Sequence, residues 1–141
     1  MATLEDAVSL AATAHKGQRD KAGAPYLLHS LRVMLRMDDD DARMAAVLHD
    51  VLEDTPTTAE DLRAAGFSES VVETVEVLTR RTDEVYEAYI RRVTAHPLAR
   101  RIKLADLEDN MDLRRLPCIS PADHERLNRY RAAWELLRAV R

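Results

Sequence analysis

The run Ala45-Ala46-Val47-Leu48-His49-Asp50-Val51-Leu52-Glu53-Asp54 sets an imidazole beside a carboxylate within an apolar stretch. Both groups are costly to bury without a partner, and a divalent metal ion is one such partner. Outside the run, His29 and the Asp106 of Lys103-Leu104-Ala105-Asp106 complete a set of four candidate ligands. Mixed imidazole and carboxylate donors suit Mn, Fe, Zn or Co better than Ca or Mg. Such an ion lowers the pKa of bound water and supplies hydroxide near neutral pH. Residues four apart share a helix face, which pairs His49 with Glu53 and Asp50 with Asp54. Those two carboxylates are then in reach of a metal-bound water and can shuttle its proton. The set points to a metal-dependent hydrolase. Spacing alone also admits blander readings: a surface His-Asp pair, a helix end and turn at Glu53-Asp54-Thr55-Pro56, and a satisfied core carboxylate at Asp106.

The elements that must hold these groups are helices. Only 3 glycines and 5 prolines punctuate the 141 residues, and no Asn-Gly or Asp-Gly pair marks a hairpin. The aromatic share of 4% is low, so Leu, Val, Ala, Ile and Met must build the core. A first helix is expected over Leu4–Lys16 with Thr3 as N-cap, broken by the polar stretch Gly17 to Pro25. A second follows Pro25. A third is expected from Asp41 to Glu53, with the acidic run Asp38 to Asp41 complementing the dipole at its start. Thr58 caps a short helix ending near Gly66, and Ser68 opens one that buries Val71, Val72, Val75 and Leu78. Further helices are expected over Asp83 to Ala95 and Pro97 to Leu113. Ser120-Pro121 opens the last, with Leu127, Tyr130, Trp134 and Leu137 on one side. The expected fold is all-α, an irregular bundle of seven or eight helices forming a single domain over residues 1–141.

A formal net charge of −4 and a pI near 5.7 argue against a general nucleic-acid binder, while small polyanionic substrates stay open. One cysteine, Cys118, excludes an internal disulfide and suits a reducing compartment. The N-terminus lacks a signal-peptide pattern and no run reaches the length of a membrane span, so a cytoplasmic protein is expected. His15 reads as structural, and His96 and His124 as solvated helix starts. Tyr86 and Tyr89 read as core or cavity wall, and Trp134 as a buried anchor. Arg91, Arg92, Arg100, Arg101 and Lys103 form either a solvated face or a phosphate-holding cluster.

Four segments occur in a telling order: Ala14-His15-Lys16-Gly17-Gln18, Pro25-Tyr26-Leu27-Leu28-His29, Leu48-His49-Asp50-Val51-Leu52-Glu53-Asp54-Thr55, and Lys103-Leu104-Ala105-Asp106 with Asn110. Together they resemble the HD-domain superfamily, and within it the hydrolase domain of RelA/SpoT-type alarmone enzymes and their stand-alone small relatives. The resemblance covers residues 5 to 137. It implies a Mn²⁺ ion held by His29, His49, Asp50 and Asp106, with Glu53 and Asp54 positioning and activating the attacking water. It implies that Lys21, Asn110 and Tyr130 hold the substrate, guanosine tetra- or pentaphosphate, from which the 3′-pyrophosphate is removed. Some animal relatives also dephosphorylate NADPH, so another nucleotide or dinucleotide is an alternative substrate, and a nucleotide-binding module with little turnover is a third reading. The chain departs from the family pattern at Asp20, where an Arg that packs on the base is usual. It departs again at Ser30, where Pro is usual, and at Glu108-Asp109, where a basic residue and a His precede the Asn. These departures bear on substrate identity rather than on the metal set.

Overall fold

A computed structural model of the chain describes residues 1–139, and among these the secondary structure is helical apart from one isolated antiparallel bridge between Arg19 and Pro25. Helix α1 covers Leu4–Ala14, α2 Leu27–Leu35, α3 Asp40–Val47 and α4 Val51–Asp54. Then come α5 over Ala59–Ala64, α6 over Glu69–Val77, α7 over Tyr86–Thr94, α8 over Pro97–Asn110 and α9 over Pro121–Arg138. A single 3-10 turn, Leu113–Arg115, links α8 to α9. Counting α3 and α4 as the one helix expected from sequence gives eight.

The starts follow local chemistry. Thr3, Thr58 and Ser120 each form a reciprocal capping box with the Asp three residues on. Ser68 and Asp39 accept the expected amide hydrogen bonds as N-caps, so the acidic run opens α3, while Asp38 pairs with Arg101 at 2.8 Å. Gly66, at φ +95°, ends the α5 segment.

Helix α3 is the hub, packed against α1, α2, α6 and α8. Ala45, Ala46, Val47 and Leu48 are fully buried there, and α8 adds Ile102 and Leu107 to the same core. Small alanines on the hub let its neighbours approach closely. The surrounding helices are therefore fixed relative to the His49-Asp50 segment.

Three boundaries differ from expectation. Helix α1 stops at Ala14, since His15 is its C-cap and Gly17 takes φ +87°. Helix α7 starts at Tyr86 rather than Asp83, because Glu84 turns back to bond the amide of Arg81 and the guanidinium of Arg92. Helix α8 stops at Asn110, where Met111 caps it and Asp112 opens the 3-10 turn by accepting from the amide of Arg114.

Candidate metal centre

The helix expected over Asp41 to Glu53 is broken between Val47 and Val51. Tight bonds from the amide of His49 to the carbonyl of Ala46 (3.2 Å) and from Val51 to Leu48 (3.1 Å) replace the α-helical pattern. An unbroken helix would point neighbouring side chains about 100° apart. The break instead turns His49 and Asp50 to one point, with His49 Nε2 2.9 Å from Asp50 Oδ2. Helix α2 brings His29 to the same point, and α8 brings Asp106. Each of these four residues offers one ligand atom, and all four atoms lie within 4.8 Å of one another.

The rings are held from behind. Nδ1 of His49 donates to the carbonyl of Ala46 at 2.6 Å, and Nδ1 of His29 donates to Asp109 Oδ2 at 2.6 Å. A carbonyl and a carboxylate only accept, so the Nδ1 proton is fixed and Nε2 is the free nitrogen of each ring. His29 Nε2 lies 2.8 Å from Asp106 Oδ1, and His49 Nε2 lies 3.4 Å from it. His49 Nε2 is buried without a well-aligned hydrogen bond, although two carboxylates are near. An orphaned nitrogen facing two carboxylates and a second imidazole fits a transition-metal ion.

The carboxylates are held as firmly. The hydroxyl of Tyr26 donates to Asp50 Oδ2 at 2.5 Å. Asp106 accepts from Lys103 Nζ at 2.7 Å and from Asn110 Nδ2 at 3.2 Å. Without a metal, burial lowers the proton affinity of both rings, yet the facing carboxylates outweigh it, raising His29 above its ordinary value and His49 well above. Burial raises Asp50, but His49 outweighs it and holds the carboxyl at about 2. Protons on the rings thus stand in for a cation.

Glu53 and Asp54 follow on α4, beside the set but outside it. Glu53 Oε1 accepts from the amide of Arg80 at 2.8 Å, which fixes its carboxylate against the α6–α7 connection. The carboxyl of Asp54 is raised to about 6, first by desolvation and then by Asp50 and Glu53. Its backbone carbonyl accepts from Gln18 at 2.9 Å, tying α4 to the 17–25 segment.

A cavity of about 470 Å³ lies beside the set, and its wall includes Tyr26, which bonds Asp50, and Asn110, which bonds Asp106, rather than the ligands themselves. That volume falls in the range of small-molecule sites. Lys21 and Tyr130, expected to touch substrate, line it too. Arg19, Arg115 and Arg126 add cationic groups, Asp112 and Asp123 add carboxylates, and Arg126 pairs with Asp123. Asp20 also borders the cavity, but its carboxylate turns inward to accept the amides of Ala22 and Ala24 and pairs with Arg115 at 2.9 Å. The acidic pair at Glu108-Asp109 does not load the cavity either: Glu108 bonds Arg36 and the indole of Trp134, and Asp109 supports His29.

Other readings resolve in the same way. His15 is buried and structural, hydrogen-bonded to Gln18 and in ring contact with Tyr26. His96 caps α8, accepting from the amide of Ala99, and His124 is exposed. Tyr89 is core, with its hydroxyl donating to the carbonyl of Leu78. The basic cluster disperses: Arg91 pairs with Glu87, Arg92 with Glu84 and Arg101 with Asp38, Arg100 bonds the carbonyl of Leu137, and Lys103 pairs with Asp106 of the metal set. Trp134 is half-buried rather than buried, between the guanidinium groups of Arg131 and Arg138. Sequence reasoning missed Tyr26, Lys103, Asp109 and Arg115. Tyr26 precedes His29 by three residues, and Lys103 and Asp109 flank Asp106 by three, a helical spacing that brings them to the ligands. Arg115 carries no such mark.

Comparison with known proteins agrees with this geometry. The HD domain family model matches residues 7–110. A guanosine-3′,5′-bis(diphosphate) 3′-pyrophosphohydrolase of Aquifex aeolicus is 34% identical over 118 residues, covering 77% of this chain and 17% of that relative. One of the same name from Vibrio cholerae is 34% identical, covering 89% of this chain and 20% of that relative. The chain thus spans about a fifth of the length of such relatives. A solved structure of a metazoan SpoT ortholog, described as hydrolyzing ppGpp and acting in starvation responses, superposes with a TM-score of 0.82 at 26% identity. That match covers 97% of this chain and 86% of the other. With two histidines and two aspartates converging from α2, the α3–α4 break and α8, and the family match spanning all three, the chain belongs to the HD domain family.

Proposed function

We propose that this protein is a metal-dependent phosphohydrolase, most specifically a Mn²⁺-dependent guanosine 3′,5′-bis(diphosphate) 3′-pyrophosphohydrolase of the cytoplasm. The observation that carries the reading is the four-ligand set, with a nucleotide-sized cavity beside it whose wall holds Tyr26 and Asn110, the partners of Asp50 and Asp106, together with Arg19 and Lys21. The relatives' names supply the substrate. A single cysteine, exposed and unpaired, fits a reducing compartment, and no described helix is long and apolar enough to cross a membrane.

His29, His49, Asp50 and Asp106 would hold the ion. When bound, it would supply a hydroxide-like water near neutral pH and withdraw charge from a phosphoryl oxygen. Asp54, raised to about 6, would serve as the group that takes a proton from the attacking water and returns it to the leaving oxygen. Glu53, anchored on the Arg80 amide, would orient that water. Lys21 would offer a point charge for phosphate, and Asn110 and Tyr130, on the cavity wall, would hold the substrate. Mixing the Mn²⁺-loaded protein with the bis(diphosphate) should release GDP and pyrophosphate, resolved by ion-exchange chromatography, and Asp50→Ala should release neither. Equal product from that variant would sink the proposal. Asp20 on the cavity wall favours a second reading, hydrolysis of another phosphorylated nucleotide. Metal-loaded protein that leaves the bis(diphosphate) intact but cleaves a different nucleotide would select it.

A further inference from the structure

Arg115 bridges two carboxylates that belong to different parts of the site. Its Nη2 lies 2.9 Å from Asp20 Oδ2, in the loop between α1 and α2. Its Nη1 lies 2.9 Å from Asp109 Oδ2 and 2.8 Å from the carbonyl of Asp109. The same Oδ2 of Asp109 receives Nδ1–H of His29 at 2.6 Å. The groups are well shielded, with side-chain exposures of 8% for Asp20, 19% for Arg115 and 11% for Asp109. One continuous chain of charge-assisted hydrogen bonds therefore runs from the cavity loop to a candidate metal ligand.

We propose that Asp20 and Arg115 are positioning residues that couple the cavity loop to the metal centre, setting the orientation of His29 through Asp109. The inference rests on the metal reading above. Only a forked guanidinium reaches both carboxylates and the carbonyl at once, so lysine cannot replace Arg115 without loss. Asp20 has a divided role: Oδ1 folds the loop through the amides of Ala22 and Ala24, both at 2.9 Å, while Oδ2 holds Arg115. Coupling is reciprocal, so the metal steadies the loop as much as the loop steadies the metal ligand.

Asp20→Asn separates the two roles. Asparagine keeps the Oδ1 acceptor for the loop amides and turns an NH₂ donor toward Arg115. Arg32 still holds Asp109 Oδ1 at 2.8 Å, so the loss should be smaller than for removing Asp109 itself. Calorimetry with Mn²⁺ alone is expected to show about three- to tenfold weaker binding for Asp20→Asn and for Arg115→Lys, against about 10–100-fold for Asp109→Asn. The double variant Asp20→Asn/Arg115→Lys should be no weaker than the worse single one, because both cut the same chain. Mn²⁺ should also slow tryptic cleavage after Lys21 in the wild type, and this slowing should vanish in Asp20→Asn. Wild-type Mn²⁺ affinity in Asp20→Asn, or losses that multiply in the double variant, would overturn the coupling while leaving the metal reading intact. A wild type that binds no Mn²⁺ would overturn both. If Arg115→Lys fails to fold by circular dichroism, Asp20→Asn alone decides.

Discussion

The ligand set depends on neighbours that never touch a metal. Lys103 shows why. Its side chain is 14% exposed, and its ammonium pairs with Asp106, whose side chain is 5% exposed. Breaking a buried pair by removing one partner leaves an uncompensated charge and costs roughly 3–5 kcal/mol. Lys103→Met is therefore expected to lose about 3 kcal/mol in urea denaturation with EDTA present. A bound divalent ion would itself neutralise Asp106, so much of that loss should return with Mn²⁺. Equal losses with and without Mn²⁺ would contradict the placement of Asp106 on the metal. Tyr26→Phe tests the other carboxylate. It removes the hydroxyl that donates to Asp50 and leaves the ring contacts with His15 and His29 in place. The expected result is about tenfold weaker Mn²⁺ binding by calorimetry, with folding unchanged. Lys103 lies one helical turn from its partner Asp106, so its involvement was open to reading in the sequence, whereas Tyr26 has that spacing to His29 but bonds Asp50, 24 residues away. Asp109 also has that spacing to Asp106, but its partner is His29, 80 residues away, and no local pattern announces a pairing of that kind.

At the scale of elements, caps and breaks divide the work. Thr3, Thr58, Ser68 and Ser120 are local signals, and each starts a helix where the sequence says it should. The break at His49-Asp50 is not local. The run contains neither Gly nor Pro, and its apolar pattern continues smoothly from Ala45 to Leu52. The interruption goes with His49 bonding back to Ala46, with Asp106 of α8 facing His49, and with Tyr26 and His29 facing Asp50. The four ligands were legible as residue types in order, whereas the turn that lets two neighbours converge needed tertiary contacts to appear. Helix α9 offers a contrast, since it carries cavity residues Arg126 and Tyr130 but no ligand. Ser120→Ala removes its capping box and should cost about 1 kcal/mol of stability. Mn²⁺ affinity should stay at the wild-type value, while KM for a nucleotide substrate rises. A matching drop in metal affinity would show that α9 takes part in holding the ligands.

For the whole molecule, the metal centre should set how stability varies with pH. In metal-free protein, His29 and His49 have raised proton affinities, against 6.5 for the unfolded chain. A raised folded value means that the stabilisation is fully present below 6.5 and is lost as pH climbs through each ring's folded value. Asp50 and Asp106 are depressed below the unfolded 3.8. Their contribution is present above 3.8 and fades as pH falls toward about 2, the folded value of Asp50. Asp54, raised to about 6, works the other way and costs stability as pH climbs from 3.8 to about 6, so metal-free protein should be most stable at about pH 4 and weaken on both sides. Mn²⁺ reverses the alkaline limb, because the ion takes the place of the ring protons and its affinity rises as they leave. At free Mn²⁺ near 100 times Kd, mass action adds about 2.7 kcal/mol. Thermal melts from pH 5 to 9 should then show Tm falling above pH 6.5 in EDTA but holding or rising with Mn²⁺, so that the two curves diverge with pH. Parallel curves would mean that the ring protons and the ion do not compete for one place. In His49→Gln, which removes the orphaned Nε2 and its proton together, the divergence should shrink sharply.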